Sequence, residues 1–231
     1  MNEIIRKRKS VRKYETTALD DDTLSKVRAK IETLKPLYED IDYSVDIVEK
    51  TKGLFNIKAP HYLVFGGEKS MESYENIGFI GQQMDLFFSE NGIGACWLGV
   101  SKPEENRVKA LPCIVSMSFG KPAELLHRTQ ADFKRKPISD ISEGSDPRLE
   151  AARLAPSGMN RQNWFFIAEN GEIHCYLKKA SPLLETMLRR MAGIDLGIAI
   201  CHIAQESENF QFKKKSDAPS RKGHHYVGTV H

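Results

Sequence analysis

Three polar residues near the start of the chain have the types and spacing of an anion-binding strip. Arg8, Ser10 and Arg12 lie two residues apart, so their side chains point to one side if this segment is extended. Guanidinium groups and a hydroxyl are hydrogen-bond donors that suit a phosphate. By itself, such a stretch is more often a solvated basic surface than a binding site.

A second segment combines turn residues with amide side chains, from Ala155 to Trp164 (A-P-S-G-M-N-R-Q-N-W). Taken alone, Pro156-Ser157-Gly158 indicates a turn between a helix and a strand. Asn160 and Gln162 add amide donors and acceptors directly after it.

The composition predicts a soluble globular protein. The 231 residues are 40% hydrophobic and 28% charged, with a formal net charge of +3. A chain of this length buries about 70% of its unfolded surface, in one large or two small domains. No run approaches the ~18 apolar residues of a membrane helix, and no apolar stretch follows the basic N-terminus as in a signal peptide. We therefore expect a cytoplasmic protein without a membrane partner.

The cysteines and the basic residues indicate neither disulfides nor a nucleic-acid site. Four widely spaced cysteines in apolar surroundings form no C-x-x-C pair, which predicts buried free thiols: Cys96, Cys113, Cys175 and Cys201. The basic clusters at residues 6–13 and 213–222 lack interleaved aromatics that stack on bases, so a solvated or phosphate-binding face is favoured. The adjacent His224 and His225 lack supporting ligands, so no metal is expected.

The first part of the chain alternates helices and strands. Asp20 to Asp22 can cap a helix with Leu24 and Val27 on its apolar face, which ends before Pro36. Two strands that pair with each other are predicted around residues 43–47 and 62–65, then a long helix over 71–90 and a strand over 114–119. Gly78 and Gly81 inside that long helix suggest close approach of another backbone, since glycine costs about 1 kcal/mol there.

The second part repeats this plan in shorter form. A helix over 147–154 precedes a strand at 164–167, which Asn170-Gly171 joins to the next strand as a type I′ hairpin. A nearly all-apolar helix follows Pro182, with one stripe formed by Met187, Met191, Ile194, Ile198 and Cys201. Aligning Gly81 with Gly197 also aligns Ile80 with Leu196 and Met84 with Ile200, and the strand at 225–230 matches that at 114–119. We predict an internal duplication with two central helices and a shared core.

The two polar segments together resemble the FMN-dependent nitroreductase family, in a divergent, Thermotoga-type branch with two half-sites fused in one chain. In that family an Arg-x-Ser-x-Arg of one subunit and a Pro-Ser-x-x-Asn-x-Gln-x-Trp of the other hold one flavin. The resemblance implies an α+β, nitroreductase-like fold of mainly antiparallel sheets packed with helices. The halves would be residues 1–137 and 138–231, forming one globular pseudo-dimer. One departure is Asn163, where the family usually has proline.

The resemblance also implies which residues hold FMN. The N-terminal residues would bind the phosphate, the ribityl chain and the pyrimidine edge, and the second segment would lie against the ring. Leu98 or Gly99, in a stretch similar to the family's G-L-G-x-x-W-x-G, would direct a backbone N–H to flavin N5. Arg135 would return to the phosphate, with Lys134 and Lys136 as alternatives. The implied cofactor contacts are Arg8, Lys9, Ser10, Arg12, Leu98, Gly99, Arg135, Pro156, Ser157, Asn160 and Gln162.

The activity that the resemblance implies is ping-pong hydride transfer from NAD(P)H, a transient co-substrate, through the flavin to a nitroaromatic, quinone or similar acceptor. No side chain is expected to act as a dedicated acid or base, and a single flavin site is expected in a monomeric pseudo-dimer or weak homo-oligomer. The alternatives are a flavin-binding carrier or sensor without turnover, and a scaffold without flavin that binds a macromolecule through its basic clusters. Dehalogenation and flavin fragmentation also remain open on this fold.

Overall fold

The computed structural model describes residues 2–53, 57–180 and 182–231, with the side chains of all of these except 182–187. The predicted halves include residues 1, 54–56 and 181, which lie outside the described residues, as does the Met187 side chain. In chain order, the helices are α1 (Glu3–Lys7), α2 (Asp21–Glu32), α3 (Met71–Glu90), α4 (Arg148–Leu154) and α5 (Pro182–Ala204). None of those in the described ranges has the length and apolar character needed to cross a bilayer.

The first sheet is antiparallel throughout. Its strands are β1 (Tyr43–Val48), β2 (His61–Gly67), β3 (Gly94–Leu98), β4 (Arg107–Val108) and β5 (Leu111–Gly120). They lie in the order β1-β2-β5-β3, and β4 pairs with β5. Strand β2 is buried along its whole length because strands flank it on both sides. The predicted pairing of the first two strands is confirmed.

The second sheet is antiparallel except at one edge. Its strands are β6 (Ser142–Gly144), β7 (Trp164–Glu169), β8 (Glu172–Lys178), β9 (Phe212–Lys213) and β10 (His224–Val230). They lie in the order β6-β7-β8-β10-β9, with β6 parallel to β7. Asn170 and Gly171, at φ 53° and 77°, connect β7 to β8. The predicted Asn-Gly hairpin is therefore confirmed.

The two sheets share one topology. The orders β1-β2-β5-β3 and β7-β8-β10-β9 are equivalent, and the long helices α3 and α5 each follow the second strand of the set. This equivalence supports the internal duplication. The boundary at residues 137 and 138 stays a prediction.

Helices α3 and α5 cross with their backbones in contact. A side-chain carbon at Gly78 would overlap the carbonyl of Ile194, and one at Gly197 would overlap the carbonyl of Glu75. Under the pseudo-twofold relation between the two halves, Glu75 therefore corresponds to Ile194, and Gly78 corresponds to Gly197. The core surrounds this crossing and is continuous across both sheets.

This register corrects two sequence-based predictions. Gly78, one helical turn before Gly81, is the counterpart of Gly197, so Ile80 does not match Leu196 and Met84 does not match Ile200. At Gly81 the atoms nearest to an added side-chain carbon belong to the Trp97 ring, so this glycine makes room for a side chain and not for the backbone of α5. The weak identity between the halves gave no signal to choose between two glycines three residues apart.

Replacing Gly197 with Ala tests the crossing. We expect the variant to lose about 1 to 3 kcal/mol of unfolding free energy, because overpacking against a backbone carbonyl outweighs the gain of about 1 kcal/mol in helix propensity. Urea titration measures the change. Gly99→Ala is the matched control, since a side-chain carbon there would meet open space. Equal stability of Gly197→Ala and the wild type would contradict the crossing.

Candidate functional site

A cleft of about 660 Å³ brings the two predicted segments together from opposite halves of the chain. This volume lies in the range of about 300 to 1,000 Å³ typical of small-molecule sites. The lining residues are Lys9, Ser10, Arg12, Leu125, His127, Arg128, Asp132, Lys134, Arg135, Pro156, Ser157, Met159 and Asn160. Seven of the predicted cofactor contacts are among them.

The N-terminal segment is extended where it passes the cleft. Ser10 forms a parallel bridge to Ala95 at β3, and the Val11 N–H donates to the Ala95 carbonyl at 2.9 Å. Glu124 accepts from the Arg12 backbone N–H at 2.6 Å and from Lys9 Nζ at 3.1 Å. These contacts fix the backbone and leave the Ser10 and Arg12 side chains at the cleft wall.

Arg8 lies behind that wall and does not line the cleft. Its side chain is fully buried, and its Nε forms an ion pair with Asp85 of α3 at 2.8 Å. Its Nη2 donates to Ser10 Oγ at 3.2 Å. Burial raises the pKa of the Asp85 carboxyl, and the Arg8 charge opposes that rise. Arg8 therefore supports the anion-binding strip that was predicted to include it.

The opposite wall is a turn with unusual backbone geometry. Met159, Asn160 and Gln162 have φ values of 53°, 55° and 50°, a left-handed region that non-glycine residues rarely adopt. Asp195 of α5 accepts from the Gly158 N–H at 2.8 Å, and Ser157 Oγ accepts from the Gln162 N–H at 3.0 Å. Burial raises the pKa of Asp195 to about 7. Strain held in place by surrounding bonds is typical of functional sites.

Three further predicted contacts do not line the cleft. Gln162 is buried behind the turn, where its Oε1 accepts from the Lys136 N–H at 2.9 Å. Leu98 and Gly99 lie at the end of β3, and Arg190 of α5 donates to the Gly99 carbonyl at 2.8 Å. Gly99 faces open space, so the predicted approach of a ligand there remains sterically possible.

Arg135 gives the cleft an uncompensated positive charge. Its Nη1 donates to Asn160 Oδ1 at 2.7 Å, which joins it to the strained turn. Burial lowers the pKa of Arg135 to about 9, and the charged groups that add to this effect among the described residues are all cations: Arg128, Arg8 and Arg153. A bound anion would raise the pKa of Arg135 and stabilise its charged form.

Arg128 is a second half-buried cation at the cleft, and no sequence-based prediction included it. Burial lowers its pKa to about 10, with a further contribution from Arg8. Arg128 and Arg135 both lie over the Phe133 ring, at 4.0 and 5.5 Å from its centroid. Arg128 Nε also donates to the Arg8 carbonyl at 2.8 Å. Its position shortly before the basic run at 134–136 was the available signal.

The second basic cluster does not line the cleft, and carboxylates pair with three of its cations. Lys214 pairs with Glu72 at 3.1 Å, Lys215 with Glu172 at 2.8 Å, and Arg221 with Glu143. Of the two clusters, the structure makes the N-terminal one the candidate anion site.

Two exposed apolar side chains also border the cleft and were not predicted. Leu125 and Met159 are 79% and 82% exposed, the highest values for large hydrophobic residues in the part of the chain that the structure describes. They come from opposite halves and would offer apolar contact to a ligand. No sequence pattern identifies either, since their exposure depends on the loop backbone.

Substitutions of Met159 test the turn geometry. Met159→Gly should keep or raise the unfolding free energy by up to about 1 kcal/mol, because glycine relieves the left-handed strain. Met159→Val should lower it by about 1 to 2 kcal/mol, since a β-branched residue tolerates this backbone worst. Thermal unfolding of both variants separates them. A valine variant as stable as the glycine variant would show that the backbone is not left-handed.

Solved structures similar to this chain come from several bacteria. A structure titled "putative nitroreductase" from Thermotoga maritima MSB8 has 24% identity and a TM-score of 0.65, and the match covers 99% of this chain and 90% of the other. An FMN-dependent nitroreductase from Clostridium difficile R20291 has 19% identity and a TM-score of 0.46, covering 57% and 93%. A nitroreductase family protein from Clostridium difficile 630 has 16% identity and a TM-score of 0.48, covering 61% and 96%.

The match to the Thermotoga structure confirms the predicted nitroreductase-like fold. A comparison with curated proteins found no match. The family model described as "Putative TM nitroreductase" matches residues 1–207, which is most of the sequence. The chain therefore belongs to this nitroreductase family.

Proposed function

We propose that this protein is an FMN-dependent oxidoreductase that uses NAD(P)H to reduce a nitroaromatic, quinone or similar acceptor. The observation that carries the proposal is the cleft itself, in which Ser10 and Arg12 of one half face Ser157 and Asn160 of the other. Family membership gives the reaction class, and the C. difficile R20291 relative is named as FMN-dependent.

The chemistry of the cleft fits the phosphate end of FMN. Lysine, arginine, serine and asparagine side chains supply cationic and neutral donors around one space. One guanidinium nitrogen at the cleft, Nε of Arg135, is buried and has no hydrogen-bond partner within the described ranges. A dianion in the cleft would reduce the repulsion between Arg135 and the neighbouring cations.

The chain's own residues bind and orient the ligand. Arg12, Arg128 and Arg135 would neutralise the phosphate, while Ser10 and Ser157 would donate their hydroxyl protons. The exposed Met159 and Leu125 side chains would cover apolar ligand surface from both sides and exclude water from it. Bound FMN would supply the redox chemistry, accepting a hydride from NAD(P)H and passing it to the acceptor.

We expect a single site per chain, because the pseudo-symmetric counterpart of the cleft, which lies after α2, is built differently. After α2, the Leu37 N–H donates to Asn76 Oδ1 at 2.7 Å, as Gly158 donates to Asp195 after α4. There Tyr38 packs edge-on against Phe212, with 5.7 Å between centroids, and donates to Glu75 at 2.6 Å. An aromatic pair and a carboxyl group therefore occupy this place, and Arg189 and Lys214 lie near the carboxyl group.

Flavin content and turnover test the proposal. The purified protein, or the apoprotein titrated with FMN, should bind one FMN per chain, measured by visible absorption and flavin release. NADH or NADPH oxidation should then depend on an added quinone or nitroaromatic. Bound FMN without turnover would favour a flavin carrier or sensor, and no FMN binding would contradict the proposal.

Arg12→Ala should weaken FMN binding about 10- to 100-fold, because a hydrogen bond to a charged group contributes about 1.5 to 3 kcal/mol. Fluorescence titration of the apoprotein measures the change. Arg28→Ala, on the exposed surface of α2, is the control and should bind like the wild type. Unchanged affinity in Arg12→Ala would place the phosphate elsewhere.

Inorganic phosphate should stabilise the apoprotein through the same cations. At a concentration of 100 times its Kd, a ligand adds about 2.7 kcal/mol of stability, which thermal unfolding detects. Arg135→Met should lose most of this increment while keeping its stability without phosphate, because the lost hydrogen bonds are offset by removing a half-buried cation that lies near other cations. Lys214→Gln, in the second basic cluster and outside the cleft lining, should retain the full increment. Equal losses in both variants would contradict a specific site.

A further inference from the structure

A buried polar network connects the two sides of the cleft through the core. Beyond its ion pair with Arg8, Asp85 Oδ2 accepts from Gln82 Nε2 at 3.0 Å. Gln82 Nε2 also lies 3.1 Å from His202 Nε2 on α5, and His202 Nδ1 lies 2.9 Å from the Ala151 carbonyl on α4. Helix α4 leads directly into the strained turn.

The donors and acceptors of this network have one consistent assignment. Burial lowers the pKa of His202 to about 3, so the ring is neutral and carries one proton. The Ala151 carbonyl can only accept, so that proton is on Nδ1 and Nε2 accepts from Gln82. The Gln82 Oε1 in turn accepts from Trp97 Nε1 at 3.4 Å. Each of these Gln82 and His202 groups therefore has a partner.

The other half makes the same helix packing without such a network. In the register set by the glycine crossing, Gln82 and Asp85 of α3 correspond to Cys201 and Ala204 of α5. A buried ion pair adds little stability over apolar residues of similar volume. The fold therefore does not require charges at this position. Their presence only on the cleft side points to a role in the site.

We propose that Asp85 is a positioning residue for the cofactor phosphate, a proposal that rests on the FMN site above. Asp85 holds the Arg8 guanidinium against Ser10 Oγ, so the oxygen of Ser10 accepts from Arg8 and its hydroxyl proton is directed to the phosphate. Gln82 and His202 fix the carboxylate that does this. The network thereby positions Ser10 relative to the strained turn that follows α4.

Asp85→Asn tests the proposal because a charge effect and a loss of positioning would change the FMN affinity in opposite directions. Removing a carboxylate from beneath the cleft makes the site more positive, so charge alone would strengthen FMN binding. Loss of positioning instead predicts FMN binding at least about tenfold weaker. Riboflavin lacks the phosphate, so its dissociation constant for Asp85→Asn should lie within about twofold of its dissociation constant for the wild type. The readout is fluorescence titration of apoprotein with FMN and with riboflavin.

Glu75→Gln is the matched control, because it removes another buried carboxyl group from the same helix, away from the cleft. Its ratio of riboflavin to FMN dissociation constants should equal that of the wild type. If Asp85→Asn does not fold, the charge-neutral Arg8→Met/Asp85→Leu double variant should be as stable as the wild type, bind riboflavin and lose FMN affinity.

The failures of the two proposals are distinguishable. Wild-type protein that binds no FMN would overturn the proposed function. Wild-type protein that binds FMN, with Asp85→Asn or the double variant binding it equally well or better, would overturn only the role of Asp85. Parallel loss of FMN and riboflavin affinity in Asp85→Asn would also overturn that role, since it would indicate general disruption.

Discussion

The contact on which the site depends is the crossing of α3 and α5 at Gly78 and Gly197. Each glycine lies against a backbone carbonyl of the other helix, so no side chain can adjust the distance between them. Asp85, on α3, holds Arg8, and Asp195, on α5, holds Gly158. The two walls of the cleft are therefore attached to two helices whose separation is fixed by backbone contact.

Because of the duplication, two equivalent loops lie beside this crossing, one after α2 and one after α4. The residues around each loop determine which ligand it can bind. Asn76 and Asp195 follow the equivalent positions Glu75 and Ile194, and each accepts a backbone N–H from the loop after the preceding helix. The scaffold for a turn is thus present twice. Arg12, Arg128 and Arg135 line the cleft at one turn, whereas Tyr38 and Glu75 occupy the other. Function is set by these local differences and not by the fold, which both halves share.

Local signals in the sequence predicted the elements well. Asp20 caps α2 by accepting from the Thr23 N–H at 2.7 Å, and Asn170-Gly171 forms its hairpin, because both depend on neighbouring residues. The cleft could be anticipated only through the family motifs. The burial of Arg8 could not, since its partner Asp85 lies on a distant helix and has no local pattern. The left-handed backbone at Met159 is likewise imposed by bonds from Asp195 and Arg135.

The cleft concentrates features that cost free energy. Three non-glycine residues in the left-handed region cost on the order of 1 kcal/mol each, and half-buried Arg135 has like charges around it. A domain of ordinary stability has about 5 to 15 kcal/mol to lose, so such costs are substantial. The place after α2 shows that the same scaffold can be completed with an aromatic contact and hydrogen bonds. The strain and the clustered cations are thus not needed for folding, and a bound anion would offset the repulsion among those cations.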